Sequence, residues 1–585
     1  MTKKRLLKLL SLVCAVSLLT GCWADPPMDS MGLPIQEETE EPEEAVALPT
    51  AFTLPYVPDQ TLDPVTCPDG IQQVVGSLLY EGLFRLDRQL EPQPWLCQSY
   101  SYDPATFTYT FTLRSGVTFS DGSALTAADV AATLRRAQSA PRYSARLAQV
   151  ASISAGDGVV TVTLSSANTG FPALLDIPIV KSGTETSLMP VGTGPYALTT
   201  DESGTCLTAH AGWWGDSDLP VDRIALSTAR DWDTVLYQFS SHDIQLITAD
   251  LTGTDPITAT GNISYVDADT TILQYVGFNT RREVFQAPAV RQALGLGLNR
   301  ATLVSAVLSG HAQAAQFPVS PLSSLYPEEL EALYSYDSFA AAMEAAGCTS
   351  GQTRTVTLLV NEENSFKVSA AEYIAQALSD FDLKIQIESL PWAEYTAALA
   401  AGNFDLYYGE VKLTADWNLA SLVGAGGSLN YGGWSDPETD QLLAAYAAAE
   451  DRAAAMEALC ARLSQQAPIL PVCFSATSVL YQTGTITGLS PTMTEPFYDL
   501  SACVIHLREE WSSFLHRHCK KHHAKAWCFF SFRSGIRFGN APVCRPCRPL
   551  AVFHTVSVAF TKSVSGRQDS GKWAGVSVYG DRWTC

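Results

Sequence analysis

Phe107-Thr108-Tyr109-Thr110-Phe111-Thr112-Leu113-Arg114-Ser115-Gly116-Val117-Thr118-Phe119-Ser120-Asp121-Gly122-Ser123-Ala124-Leu125-Thr126-Ala127-Ala128-Asp129-Val130 is the stretch from which the fold is read most directly. Phe107, Tyr109, Phe111 and Leu113 alternate with threonines, the period-two pattern of a strand with one buried face. Gly116 breaks the run, Val117 and Phe119 resume it, and Asp121-Gly122 turns the chain. Thr126 with Asp129 three residues on forms an acidic variant of the capping box, and Val130 and Leu134 follow at helical spacing. The order strand, turn, strand, helix, closed by the alternating run Val159–Leu164, predicts a small α+β domain over 85–187.

Further along, Thr355–Val360 reads as a strand, Phe366–Leu378 as a helix and Leu383–Glu388 as a second strand, a βαβ unit with parallel strands. An Ala-rich helix, Ser338–Ala346, is expected to start at Asp337 and stop at Gly347. One long helix is expected from Pro437, entered through Ser435-Asp436 and running through Tyr446 and Met456 to Leu463. The second half is therefore α/β. No repeat of roughly 20 to 50 residues is present, which argues against a solenoid or propeller.

At 585 residues the chain is long enough for two to four domains of roughly 100 to 200 residues each. The formal charge is −23, unevenly placed. Residues 1–22 carry four basic and no acidic side chains, and 508–585 carry 13 basic and 4 acidic. The body between them has 20 basic and 56 acidic residues, a net of −36. Such a surface repels phosphate backbones and argues against nucleic acid as a partner.

Lys3-Lys4-Arg5, the apolar run Leu9 to Leu19 and the small residues before Cys22 have the layout of a secretory signal, too short for a stable membrane span. Leu19-Thr20-Gly21-Cys22 also resembles the lipobox of bacterial lipoproteins, which implies that Cys22 is acylated and becomes the new N-terminus. The expected location is the cell membrane, lipid-anchored and facing the extracellular or periplasmic side. Residues 23–50, with Glu37-Glu38-Thr39-Glu40-Glu41 and scattered prolines, read as an extended acidic linker.

Several segments in order resemble the extracellular solute-binding proteins of ABC importers, in particular the large oligopeptide/dipeptide/nickel-binding family: Leu62-Asp63-Pro64, Leu79-Tyr80-Glu81-Gly82-Leu83, the Phe107–Val130 stretch, Gly192-Thr193-Gly194-Pro195-Tyr196, Phe278-Asn279-Thr280, Val290-Arg291-Gln292-Ala293-Leu294 and Phe404-Asp405. The resemblance implies an α/β fold, the type II periplasmic-binding-protein-like bilobal clamshell with an extra small α+β domain. It divides the body into domain I (51–84, 188–275 and 471–507), domain II (85–187) and domain III (276–470). It also implies capture of short peptides between hinged lobes and delivery to an ABC permease and its ATPase subunits. A nickel chelate or other small solute on the same scaffold is the alternative, as is a peptide-sensing receptor.

Chemistry-bearing motifs are sparse. Gly192-Thr193-Gly194-Pro195-Tyr196-Ala197 fits a loose dinucleotide fingerprint, but no helix pattern follows it, so a tight structural turn and no cofactor are expected. His-Glu-x-x-His and Gly-x-Ser-x-Gly are absent, as is a Ser-x-x-Lys at a plausible site, and the scattered histidines and cysteines of the body name no metal site, which disfavours an enzyme. Its seven cysteines read mostly as buried small apolar residues, with one disulfide possible. The family resemblance implies that Asp416, in Ala415-Asp416-Trp417, pairs with a peptide's N-terminal ammonium, while aromatic residues near Trp392 line side-chain pockets; the alternative for Asp416 is a helix cap or a solvent-facing residue. Trp417 and Tyr275 are further candidates for that pocket or for core, and Glu410 and Lys412 are secondary candidates. Trp213-Trp214 reads as structural. The basic Cys/His-rich tail 508–585 departs from the family pattern and is expected to be disordered; its lone Cys544-x-x-Cys547 pair is too little for a zinc site.

Overall fold

Threonine alternation and the capping box produce local structure close to expectation in the computed structural model, which describes residues 48–508 except 68–69, 203, 216–217, 255–256 and 258–260. The signal segment, Cys22, the linker as far as residue 47 and the tail from 509 lie outside the described residues. Strand Thr108–Leu113 buries Tyr109, Phe111 and Leu113. Val117 to Phe119 does not extend into a second strand. Gly116 and Gly122, both at positive φ, turn the chain so tightly that only the Thr118–Ala124 bridge forms. Helix Ala127–Ser139 follows, with the Thr126 N–H donating to the Asp129 carboxylate at 3.0 Å. An antiparallel sheet ordered Cys97–Asp103, Thr108–Leu113, Val159–Leu164, Val150–Gly156 completes this layer, and its core includes Phe84, Leu134 and Val160.

The βαβ unit is present as Arg354–Asn361, helix Ser365–Leu378 and Leu383–Leu390, with parallel register from Arg354↔Leu383 to Asn361↔Leu390. Two helix expectations need correction. The Ala-rich helix runs Tyr336–Ala345 and is capped by Ser335, whose side chain accepts from the Ser338 N–H; Asp337 sits in its first turn. The expected single helix after Pro437 is two, Pro437–Ala448 and Arg452–Gln466, because Ala449 turns extended and Asp451 caps a new helix by accepting from the Ala454 N–H. All seven described cysteines are buried, where they serve as small apolar fill, and no disulfide joins any two of them.

Two long strands organise the whole. Ile263–Phe278 and Ile469–Gln482 run antiparallel at the centre of a seven-stranded sheet. On one side lies Leu246–Ala249; on the other follow Leu406–Lys412, Arg354–Asn361 and Leu383–Leu390, and Ala312–Ala314 pairs with Ile469–Gln482. Their pairing slips between Asp269 and Leu273 and again between Gln274 and Tyr275. The expected boundary between 275 and 276 thus falls inside a continuous strand. A separate four-stranded sheet, Thr53–Tyr56, Arg223–Thr228, Gly204–Ala209, Tyr196–Asp201, packs through Phe52, Leu54 and Tyr196 against Leu246 and Val479 of the large sheet.

Candidate functional site

Strands Arg354–Asn361, Leu383–Leu390 and Leu406–Lys412 share one direction, so their carboxyl ends at Asn361, Leu390 and Lys412 lie along one edge of the sheet. In open α/β sheets that edge is where crevices receive ligands. The chain leaving Lys412 builds one wall. Leu413 N–H donates to Thr271 O at 2.9 Å, Ala415 packs against Leu86 and Ala173, and Asp416 comes to rest with 3% of its surface exposed. A carboxylate so placed requires donors. It has Thr414 Oγ1 at 2.5 Å and Asn418 N–H at 3.4 Å on one oxygen, and Asn168 Nδ2 at 2.8 Å on the other.

Asn168 belongs to the loop after Val159–Leu164 on the opposing wall, and that loop is clasped throughout. Thr169 donates its N–H to Ala447 O at 2.9 Å and its hydroxyl to Ala449 O at 2.8 Å. Gly170 lies so close to Arg452 that a Cβ there would sit 2.5 Å from the guanidinium. Arg452 in turn donates to Asp416 O at 2.6 Å, beside Tyr446 OH at 2.8 Å on the same carbonyl. The break between the two helices is what brings Arg452 here. A second clasp joins Glu91, whose carboxylate accepts from the Ser323 hydroxyl at 3.2 Å and the Ser324 hydroxyl at 2.8 Å.

The opposing wall is anchored by Glu81. Its carboxylate accepts indole N–H groups from Trp95 at 2.9 Å and from Trp213 and Trp214 at 3.0 Å, and the Thr193 hydroxyl at 2.7 Å. Burial raises its pKa against those four stabilising bonds. Arg85 lies between the Trp95 ring at 4.3 Å and the Tyr498 ring at 4.2 Å and forms an ion pair with Glu495. The glycine motif serves this wall as a turn: Gly194 N–H donates to Leu79 O at 2.9 Å, and a Cβ on Gly194 would meet Leu78 O at 2.6 Å.

The sequence-predicted residues are only partly brought together. Asp416 stands at the junction of the walls. Trp392 is 61% exposed just past the carboxyl end of Leu383–Leu390, with its backbone N–H donating to the Glu363 carboxylate at 2.9 Å and its ring stacked on Tyr395. Trp417 follows Asp416 at φ 54°, is 1% exposed and meets Phe474 edge to face, so it fills core behind the wall. Tyr275 is buried with its hydroxyl 3.2 Å from that of Tyr407. Glu410 pairs with Lys367 at 3.1 Å. Lys412 is exposed at the strand end, and its ammonium pKa is lowered, chiefly by desolvation and then by Arg146 and Arg142. Sequence reasoning passed over Asn168, Arg85, Trp95 and Arg146; of the anchoring residues, Glu81 and Thr193 stood in quoted motifs and Trp213-Trp214 was read as structural. A cavity of about 450 Å³ behind Arg291 and Arg300 lies at the other end of the sheet, where Ile469 pairs with Gly277, and takes no part in this edge.

Two walls tied by a pair of long strands and meeting at the strand carboxyl ends have the periplasmic-binding-protein-like fold. The model of the bacterial extracellular solute-binding proteins, family 5, middle region, matches residues 91–428, and the chain belongs to that family. It is 27% identical over 388 residues to the glutathione-binding protein GsiB of Escherichia coli K12, covering 62% of this chain and 75% of that one. Among solved structures, the nickel ABC transporter protein of Bacillus halodurans superposes with a TM-score of 0.64 at 21% identity, covering 77% of this chain and 98% of that chain. The oligopeptide-binding protein AppA of Bacillus subtilis, solved with a nonapeptide, gives 0.53 at 19% identity, covering 79% and 99%.

Proposed function

We propose that this protein is the substrate-binding lipoprotein of an ABC importer, taking short peptides between its lobes and presenting them to a membrane permease, with no chemistry of its own. The observation that carries the reading is the placement of Asp416 where the walls meet, its carboxylate shared with Asn168 across the junction. An ammonium entering there exchanges with the Asn168 amide for the same oxygen, which couples ligand capture to the contact between lobes. Trp392, exposed at the same sheet edge, offers an apolar face to a varied side chain, with Tyr275 and Trp417 as the packed support behind. The slipped pairing near residues 269–275 is the hinge, since a bulge is where a continuous strand pair bends most easily. In this reading domain I comprises 51–84, 188–275 and 471–507, domain II 85–187 and domain III 276–470, and a lipid on Cys22 holds the protein on the outer side of the membrane. The glutathione and nonapeptide named for the two peptide-binding relatives support the ligand class. Native mass spectrometry of the purified protein tests it: a co-purified mass that fragments as a short peptide is expected, and a metal chelate or sugar would overturn it.

A further inference from the structure

The cavity behind Arg291 and Arg300, about 450 Å³ in volume, is bounded by helices Pro288–Gly297, Tyr336–Ala345 and Arg452–Gln466 and by the start of strand Ile469–Gln482. Small side chains keep it open: Ala289 and Ala293 on one helix and Ala342 and Ala345 on another line it where longer ones would close the gap. Leu296, Phe317, Pro318, Leu330, Leu463 and Ile469 make the lining largely apolar. Ligand pockets share this size and character, with a few polar groups set into the wall.

Two guanidiniums are set into this one. Arg291 is 1% exposed and is consumed by backbone carbonyls, Ala467 O at 2.9 Å and Gln286 O at 3.0 Å, with Phe285 O and Gln466 O beside them. Arg300 is held by Pro471 O at 2.8 Å on Nε and by Gly295 O at 3.2 Å on Nη1, and its Nη2 makes no hydrogen bond among the described residues. One hydrogen on Nη1 and both on Nη2 remain, donors that suit the two oxygens of a carboxylate. Neither arginine has a carboxylate within ion-pair distance among the described residues; Glu331, exposed and holding the Tyr326 hydroxyl, acts on Arg300 only through space. Desolvation holds both guanidinium pKa values down to about 10, which leaves both charged at neutral pH.

A charge set in apolar surroundings without a counterion is costly. We propose that this cavity is a second ligand site, separate from the cleft, and that it takes a small amphipathic carboxylate, the headgroup on Arg300 and the hydrocarbon part among Leu296, Leu330 and Leu463. An inorganic anion would leave the apolar wall unused, and a neutral apolar molecule would leave the guanidinium unanswered. The neighbouring surface has the same apolar character. Ala332 is locked by Gln316, donating its N–H to Oε1 at 3.1 Å and accepting Nε2 at 2.9 Å, and the loop after it carries Leu333, 91% exposed, and the exposed Tyr334. The site stands whether or not the cleft takes peptides.

Calorimetry on the full chain with octanoate, octanol and acetate separates headgroup from tail. Octanoate should bind about tenfold or more tightly than either of the others. Ala345→Phe, at an exposed helix position on the lining, occludes the cavity while leaving Arg300 in place, and should weaken octanoate about tenfold or more with circular dichroism unchanged. Arg300→Gln should bring octanoate down to the affinity of octanol; should that variant fail to fold, Ala345→Phe still decides whether the ligand lies here. Equal affinity for octanoate and octanol on the unmodified protein would overturn the carboxylate. Octanoate binding undiminished by Ala345→Phe, or no octanoate binding at all, would overturn the site.

Discussion

Asn168 donates its side-chain amide to the Asp416 carboxylate at 2.8 Å, 248 residues away in sequence, and both side chains are buried. Asn168 also donates to Gln149 at 3.1 Å and accepts from the Gly170 N–H at 3.0 Å, so its orientation is fixed from its own side of the junction. A hydrogen bond to a buried carboxylate contributes more than one between neutral groups. The contact therefore ties the loop that carries Asn168 to the segment that carries Asp416.

Removing the amide should loosen the junction. Asn168→Ala is expected to raise the radius of gyration of the ligand-free protein in small-angle scattering, since the bond that joins the two walls is lost. Asn168→Asp should open it further by placing two carboxylates together. A radius unchanged in both variants would show that the junction is held by other contacts.

Glu81 holds three indoles and a hydroxyl with one carboxylate. Glu81→Ala would strand four donors in a buried site and should lower stability by about 3 kcal/mol or more, read as a shift in the urea midpoint. The tryptophan emission of the folded variant should also change. Stability within about 0.5 kcal/mol of the unmodified protein would mean that the indoles find other acceptors.

Acid should weaken the Pro437–Ala448 helix before it weakens the rest. Asp436 caps it by accepting from the Thr439 N–H, and its hydrogen bond from Arg462 leads the causes that hold its pKa down to about 2, aided by the Thr439 bonds and opposed by desolvation. A depressed carboxylate pKa contributes stability that is complete above the unfolded value near 4 and is lost as pH falls towards 2. Solvent screening limits the contribution to about 1 kcal/mol. Asp436→Asn keeps the cap and removes the charge, so its melting temperature should lose this part of the pH dependence between 4 and 2. An identical acid profile for both proteins would exclude Asp436 as the titrating group.

Much of the fold was legible because its signals are local. Period-two threonines, the Thr126–Asp129 box and the βαβ rhythm each lie within a short window, and each became the expected element except the single bridge at Thr118. The split helix was missed because an Ala-rich run hides a break; the one signal was Asp451, an N-cap type inside the pattern. The site was less legible because its partners are remote. Glu81 meets residues 95, 193, 213 and 214, and Asp416 meets residue 168, pairs that no spacing rule connects. Trp417 illustrates the limit: composition offers an aromatic beside an aspartate, and only its left-handed backbone shows that the ring turns into the core.

Cys22 is expected to carry the lipid. One acyl chain anchors weakly and two anchor stably, so a diacylated cysteine should keep the protein in the membrane fraction. Cys22→Ser, expressed in a host that processes lipoproteins, should move it to the soluble fraction and abolish labelling by a fatty-acid probe. Unchanged retention with unchanged labelling would refute the anchor.

The central claim, that Asp416 receives a peptide ammonium in the cleft, is tested most directly by calorimetry with trialanine and N-acetyltrialanine on the unmodified protein and on Asp416→Asn. Truncating one partner of a buried charge pair costs about 2–5 kcal/mol. The unmodified protein should therefore prefer the free peptide by a margin of that order, and Asp416→Asn should lose the preference while melting cooperatively. Equal affinity in all four combinations would contradict the claim and remove Asp416 from the binding site.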